Sequence, residues 1–222
     1  MKEIKEKCGI FGIHNVEDAS VLTALGLHAL QHRGQEGCGI VSFDGRNFHS
    51  EKRQGLVGDN FTNKETLKKL PGKFAIGHNR YSTTGEASLR NIQPFFADLH
   101  GGGIAIAHNG NLTNAIRLRE NLVKNGAIFR TTSDTETIVQ LIAKSKRKKT
   151  IDKVVDAIFS SDFDLNSVYS QMTFKVYQNN VYEEFVDKQS DKIHSCGFFV
   201  PNYPELTEDD IHFICNVIKG EV

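Results

Sequence analysis

The sequence predicts an α+β fold, and two observations carry that reading. In the first half, apolar segments of strand length are set off by glycine-containing turns. Among them Asp44-Gly45 is a strong signal for a two-residue antiparallel hairpin between Cys38–Phe43 and Phe48–Lys52. After Thr113 the apolar residues recur at helical spacing instead. With 222 residues, 39% of them hydrophobic, the chain makes one medium domain, or one domain and a partial second, and can bury a real core.

Taken in order, Cys8-Gly9-Ile10-Phe11-Gly12-Ile13 reads as a first strand that buries Ile10 and Ile13 and leaves Cys8 at its mouth. Glu17-Asp18 opens a helix with Leu22, Leu25 and Ala29 on one stripe, running to about Gln31. A glycine-punctuated turn, His32 to Gly37, leads into the hairpin. Lys64 to Leu70 is a short helix stopped by Pro71-Gly72, and Phe74 to Tyr81 is a further strand. Ile104 to Ala107 is another strand, followed by His108-Asn109-Gly110-Asn111. A helix from Thr113 carries Ile116 and Leu122 and closes at Asn125-Gly126. Ser133-Asp134-Thr135-Glu136 has the form of a capping box ahead of a helix with Ile138, Leu141 and Ile142. Ile151, Val154, Val155 and Ile158 mark one more amphipathic helix.

Composition excludes several function classes. Formal net charge is zero, which argues against a general nucleic-acid or acidic-membrane binder. The basic run Lys144 to Lys149 reads better as a solvated helix end. Cys8, Cys38, Cys196 and Cys215 are too scattered for a disulfide scaffold, and no C-x-x-C pair suggests zinc. No signal-like apolar region opens the chain and no run of membrane-spanning length follows, so a soluble, cytoplasmic location is expected. His28 and His32 stand four apart, as metal ligands on a helix can, but the glutamate of a His-Glu-x-x-His site is missing. No metal is expected.

Three chemistry-bearing loops stand out. Arg80 follows a strand, Asn109-Gly110 follows a strand, and Asp134 lies at a helix start. A guanidinium matches a carboxylate through two parallel hydrogen bonds, and a carboxylate matches an ammonium. Together Arg80 and Asp134 suit the two charges of a free amino acid. The Asn109 amide beside the Gly110 N–H makes a plausible oxyanion hole. Each has a plainer reading: Cys8 as a core thiol, Arg80 as a surface residue, Asn109-Gly110 as a turn, Asp134 as a cap. Their joint occurrence favours a nucleophile.

The motifs Cys8-Gly9-Ile10-Phe11-Gly12, Leu30-Gln31-His32-Arg33-Gly34-Gln35-Glu36, Gly77-His78-Asn79-Arg80-Tyr81-Ser82-Thr83-Thr84-Gly85, His108-Asn109-Gly110-Asn111-Leu112 and Thr132-Ser133-Asp134-Thr135-Glu136 resemble, in that order, those of class II glutamine amidotransferases. Most closely they are similar to the N-terminal glutaminase half of amidophosphoribosyltransferases, enzymes of purine biosynthesis. Relatives that make glucosamine-6-phosphate usually carry Tyr where Gln35 stands and Trp where Tyr81 stands. The resemblance implies an N-terminal nucleophile hydrolase-type αββα sandwich of antiparallel sheets over residues 8–158, cut short at its C-terminal end. It implies that glutamine is hydrolysed to glutamate and ammonia through a thioester on Cys8, with the cysteine's own α-amino group as base. That amine exists only if a leader, residues 1–7, is removed. Arg80 would hold the substrate carboxylate and Asp134 its ammonium. Asn109 and Gly110 would form the oxyanion hole, Tyr81 to Gly85 part of a lid, and Arg33 a support for the nucleophile. No cofactor is implied. The expected partner is glutamine, with a homo-oligomer or a separate phosphoribosyltransferase chain as candidate protein partners.

Beyond Phe159 the character changes. Residues 159–222, and Ile193 to Ile211 in particular, resemble the C-terminal end of DegT-type sugar aminotransferases, without that family's lysine or phosphate-binding segment, so no pyridoxal phosphate is expected there. Two expectations follow: an unpaired sheet edge where the glutaminase strands stop, and, as the alternative function, a non-catalytic fusion of two gene fragments.

Overall fold

The apolar run after Cys8 forms β1 (Gly9–Ile13), and the chain then climbs into α1 (Ala19–Ala29) and a single 3-10 turn at Gln31–Arg33. The structure, a computed structural model, describes residues 8–81, 88–100, 102–110, 112–160, 171–176 and 198–201. β2 (Gly37–Phe43) and β3 (Phe48–Gln54) form the hairpin. Its connection is longer than the two-residue turn expected. Phe43 pairs with Phe48, and Asp44 closes a four-residue turn by accepting the N–H groups of Arg46 and Asn47 on one carboxylate oxygen, both at 2.8 Å.

Two short helices, α2 (Val57–Asn60) and α3 (Lys64–Lys68), lead to β4 (Phe74–Arg80). These strands make one four-stranded antiparallel sheet in the order β1-β4-β2-β3. β5 (Phe95–Leu99), which the sequence pattern did not reveal because Pro94 abuts it and Asp98 interrupts it, pairs with β6 (Gly102–Asn109). β6 is longer than expected, so Asn109 is its last residue and does not follow it. α4 (Ala115–Lys124), α5 (Asp134–Lys144) and α6 (Thr150–Ser160) come next.

Hydrophobic burial assembles these into a four-layer αββα sandwich. Ala19, Ala24 and Leu27 of α1 pack on Cys38, Ile40 and Ala75 of the first sheet. Val41 and Ile76 meet Ala105 and Ala107 between the sheets. Ile104 and Ile106 pack on Ile138, Ile142, Val154 and Ala157 of α5 and α6. The expected fold class is therefore the observed one. The stripe expected to bury α1 is not: Leu22 and Leu25 are exposed, and Ala19, Ser20, Thr23, Ala24 and Leu27 face the sheet. Gly77 explains the choice. A Cβ there would lie 2.6 Å from Leu27 and 2.8 Å from Thr23, so the missing side chain is what lets this face settle onto β4. Ile116, expected on the inner face of α4, is also exposed, while Leu122 is buried. The capping box at α5 is only half made. Ser133 Oγ accepts the Thr135 N–H, but Glu136 turns away to accept the N–H groups of Arg130 and Thr131.

The edge expected to be bare is not bare. β7 (Gln171–Val176) pairs antiparallel with β6, Asn109 opposite Gln171, and β8 (Phe198–Pro201) pairs with β7. The second sheet thus has the order β5-β6-β7-β8. Among the described residues, no helix is long and apolar enough to cross a membrane.

Candidate active site

Cys8 sits at the N-terminal mouth of β1, beside the ends of β4 and β6 and against the turn after α1. That turn grips its backbone from both sides. The Cys8 N–H donates to the Arg33 carbonyl at 2.8 Å, and Arg33 Nε donates to the Cys8 carbonyl at 2.6 Å. Asn109 Nδ2 reaches the same carbonyl at 3.4 Å. The Tyr81 N–H points at the sulfur, 3.4 Å away. Cys8 has φ 58, a left-handed conformation that costs a non-glycine residue about 1–2 kcal/mol.

Burial pushes the Cys8 thiol up, opposed by the Tyr81 backbone contact and by the positive charges of Arg80 and Arg33. Desolvation of the charged form is the larger effect. A thiol held protonated needs a base to become a nucleophile.

Arg80 ends β4, opposite Gly37 of β2, close enough to act on the Cys8 charge. Tyr81 follows and is exposed. Residues 82–87 lie outside the described residues, and with them most of the expected lid. Asn109 is buried at the end of β6, with Gly110 next. Asp134 opens α5, and its Oδ2 accepts the Leu112 N–H at 2.9 Å. Its Oδ1 stands 3.9 Å from Nδ1 of the buried His108. Asp134 is therefore anchored to the loop that continues from Gly110. The sequence-derived set Cys8, Arg33, Arg80, Tyr81, Asn109, Gly110 and Asp134 converges on one end of the sandwich.

Two residues missed in the sequence support this end. Asn91 forms a two-way amide contact with Thr132, donating to its hydroxyl at 2.9 Å and accepting its N–H at 3.0 Å. Gln93 does the same to the backbone of His108. Their only sequence signal was position: two amides flanking Ile92 just before Pro94. Among the described residues, no group of three or more His, Cys, Asp or Glu is placed to hold an ion.

The family model described as a glutamine amidotransferase domain matches residues 78–160. The amidophosphoribosyltransferase of Rhizobium etli is 59% identical over 155 residues, covering 70% of this chain and 31% of that protein. That of Lacticaseibacillus casei is 49% identical over 143 residues, covering 64% of this chain and 74% of that protein. The chain belongs to the amidophosphoribosyltransferase family. Within it, the Bacillus subtilis relative is 46% identical over 159 residues. The solved B. subtilis glutamine phosphoribosylpyrophosphate amidotransferase, complexed with ADP and GMP, superposes with a TM-score of 0.66 at 39% identity, over 77% of this chain and 35% of that one. A second solved chain, described as the allosteric regulatory enzyme of purine biosynthesis, superposes with a TM-score of 0.66 at 42% identity, over 74% of this chain and 34% of that one. The chain spans about a third of the length of the R. etli and B. subtilis relatives, 31% and 33%. The matched part is the glutamine amidotransferase portion of these enzymes.

Proposed function

We propose that the chain is a glutaminase, hydrolysing glutamine to glutamate and ammonia through Cys8. The observation that carries the reading is the junction itself: one cysteine backbone held by Arg33 and Asn109, with Arg80 and Asp134 at the same end of the sandwich.

In this reading hydrolysis of the Lys7–Cys8 peptide bond frees the Cys8 α-amine. The Arg33 carbonyl, already bonded to this nitrogen, would hold one of its protons and leave the lone pair turned to the thiol. The amine takes the thiol proton as sulfur attacks the substrate's side-chain carbonyl carbon. Its ordinary pKa near 8 suits that exchange. The developing oxyanion is bound by Asn109 Nδ2 and the Gly110 N–H. The carbon–nitrogen bond then breaks, the amine returns its proton to the leaving group, and ammonia departs. Water attacks the thioester, the amine again taking a proton, and glutamate leaves with the thiol restored. Arg80 binds the substrate carboxylate and Asp134 its ammonium.

We assign the ammonia, by relationship to the purine-pathway enzymes, to phosphoribosyl pyrophosphate bound on a transferase domain, on a separate chain or within a homo-oligomer, in the cytoplasm. Residues 159–222, which resemble a DegT-type tail, are assigned no part in this chemistry.

Intact mass and glutamine-dependent ammonia release, measured on one preparation, test the reading. Loss of residues 1–7, labelling of Cys8 by a glutamine-analogue electrophile and turnover are expected. A chain that keeps its leader and resists labelling is the non-catalytic fusion instead.

A further inference from the structure

The strand pair β5–β6 runs in a register that sets Phe95 opposite Ile106. Two steps further along, the same register sets Gln93 opposite His108. The backbone ladder stops short of that pair. The Gln93 carbonyl has turned onto the first sheet, so close to Gly39 that any Cβ there would collide with it. The Gln93 side chain takes over the vacated ladder position: Oε1 accepts the His108 N–H at 2.6 Å and Nε2 donates to the His108 carbonyl at 3.0 Å. Both residues are buried, so neither bond has water as an easy substitute. His108 immediately precedes Asn109, whose opposite strand partner is Gln171.

We propose that Gln93 is a positioning residue for the oxyanion hole, fixing through the His108 backbone where the Asn109 amide and Gly110 N–H stand. The inference rests on the glutaminase reading above. Gln93 itself touches no reacting atom. Its effect falls on the step in which the carbonyl oxygen gains charge, and not on substrate charge recognition, which lies with Arg80 and Asp134.

The test uses Gln93→Met, which keeps the shape and removes both hydrogen bonds, and Gln93→Glu, whose carboxylate still accepts the His108 N–H but cannot donate to the carbonyl. In the leader-free full chain, kcat for glutamine should fall roughly 10- to 100-fold in Gln93→Met, since oxyanion donors displaced by a fraction of an ångström lose much of their effect. Gln93→Glu should lie between it and wild type. KM should stay within about threefold, and alkylation of Cys8 by iodoacetamide, a displacement that builds no oxyanion, within about twofold. Hydrogen exchange at the His108 amide should quicken by roughly tenfold or more in Gln93→Met. An unchanged kcat, or equal losses in turnover and alkylation, overturns the proposal. So does a His108 amide that exchanges freely in the wild type. A wild-type chain without turnover removes the glutaminase reading and the oxyanion role together, while protected His108 exchange would then leave Gln93 as a structural clip only.

Discussion

Asp134 stands with one oxygen committed to the protein before any substrate arrives. Its Oδ2 accepts the Leu112 N–H at 2.9 Å, and Leu112 is buried two residues beyond Gly110. The side chain is only 18% exposed, so its electrostatics are partly shielded from solvent. Two substitutions separate the two tasks. Asp134→Asn removes the charge but keeps an amide oxygen able to accept the Leu112 N–H. The lost charge-assisted contact to the substrate ammonium is worth about 1.5–3 kcal/mol, so KM should rise roughly 10- to 150-fold with kcat little changed. Asp134→Ala also orphans a buried N–H, a cost of about 1–3 kcal/mol, and frees the loop that follows Gly110. Its kcat should fall a further tenfold or so. Steady-state ammonia release on processed protein gives both parameters, and hydrogen exchange at Leu112 reports the anchor directly. Equal kcat in the two variants would refute the anchoring argument, and an unchanged KM in both would refute ammonium recognition by Asp134.

Three further outcomes are expected. Burial, aided by the charges of His108, Arg80 and Lys52, holds His78 down to about 3, against an ordinary 6.5, and His108 is shifted the same way by its own burial. Below pH 6.5 the unfolded chain takes up protons that the folded chain refuses, so stability should fall with pH. For His78 alone the slope approaches about 1.4 kcal/mol per unit well below pH 6.5, which gives roughly 1.6 kcal/mol between pH 6.5 and 5, visible as a shift in urea midpoint. A flat midpoint would contradict a buried neutral His78. Asn91→Ala cuts the tie to Thr132, two residues before Asp134, and should raise KM several-fold while leaving Cys8 alkylation unchanged, in contrast to the kcat effect at Gln93. Deleting residues 161–222 removes β7 from the flank of β6 and should lower the melting temperature and give higher-order species on size-exclusion chromatography. A monomer of unchanged stability would show that the pairing contributes nothing.

What the sequence displayed and what it hid have physical causes. Strand segments around Ile10, Ile40 and Ile76 were legible because glycine turns bracket them, and α5 because Ile138 and Ile142 repeat at helical spacing and are fully buried. α1 misled because Leu22 and Leu25 form the more hydrophobic stripe, yet the contact was decided by Thr23 and Leu27, which lie over the missing side chain of Gly77 on β4, with the small Ala19 and Ala24 on the same buried face. Periodicity records hydrophobicity and is blind to how near two backbones can come. At the site, the motif residues were legible as residue types, although Arg80, Asn109 and Asp134 belong to the ends of β4, β6 and α5 and not to loops. The amide contacts of Asn91 and Gln93 were not, since a buried amide and an exposed one look alike in a sequence.

The pairing of β7 with β6 bears on how such a chain tolerates change. β6 constrains its own sequence tightly: Ala105 and Ala107 are small where the sheets meet, and Ile104 and Ile106 fill the helix side. Towards its neighbour it presents only amides and carbonyls, which any extended segment without a proline at a bonding position can satisfy. Ancestry is invisible to that interface. An extended segment of quite different sequence set beside β6 would complete the ladder next to Asn109 equally well, so the strand that carries Asn109 tolerates wide change in its neighbour while staying paired.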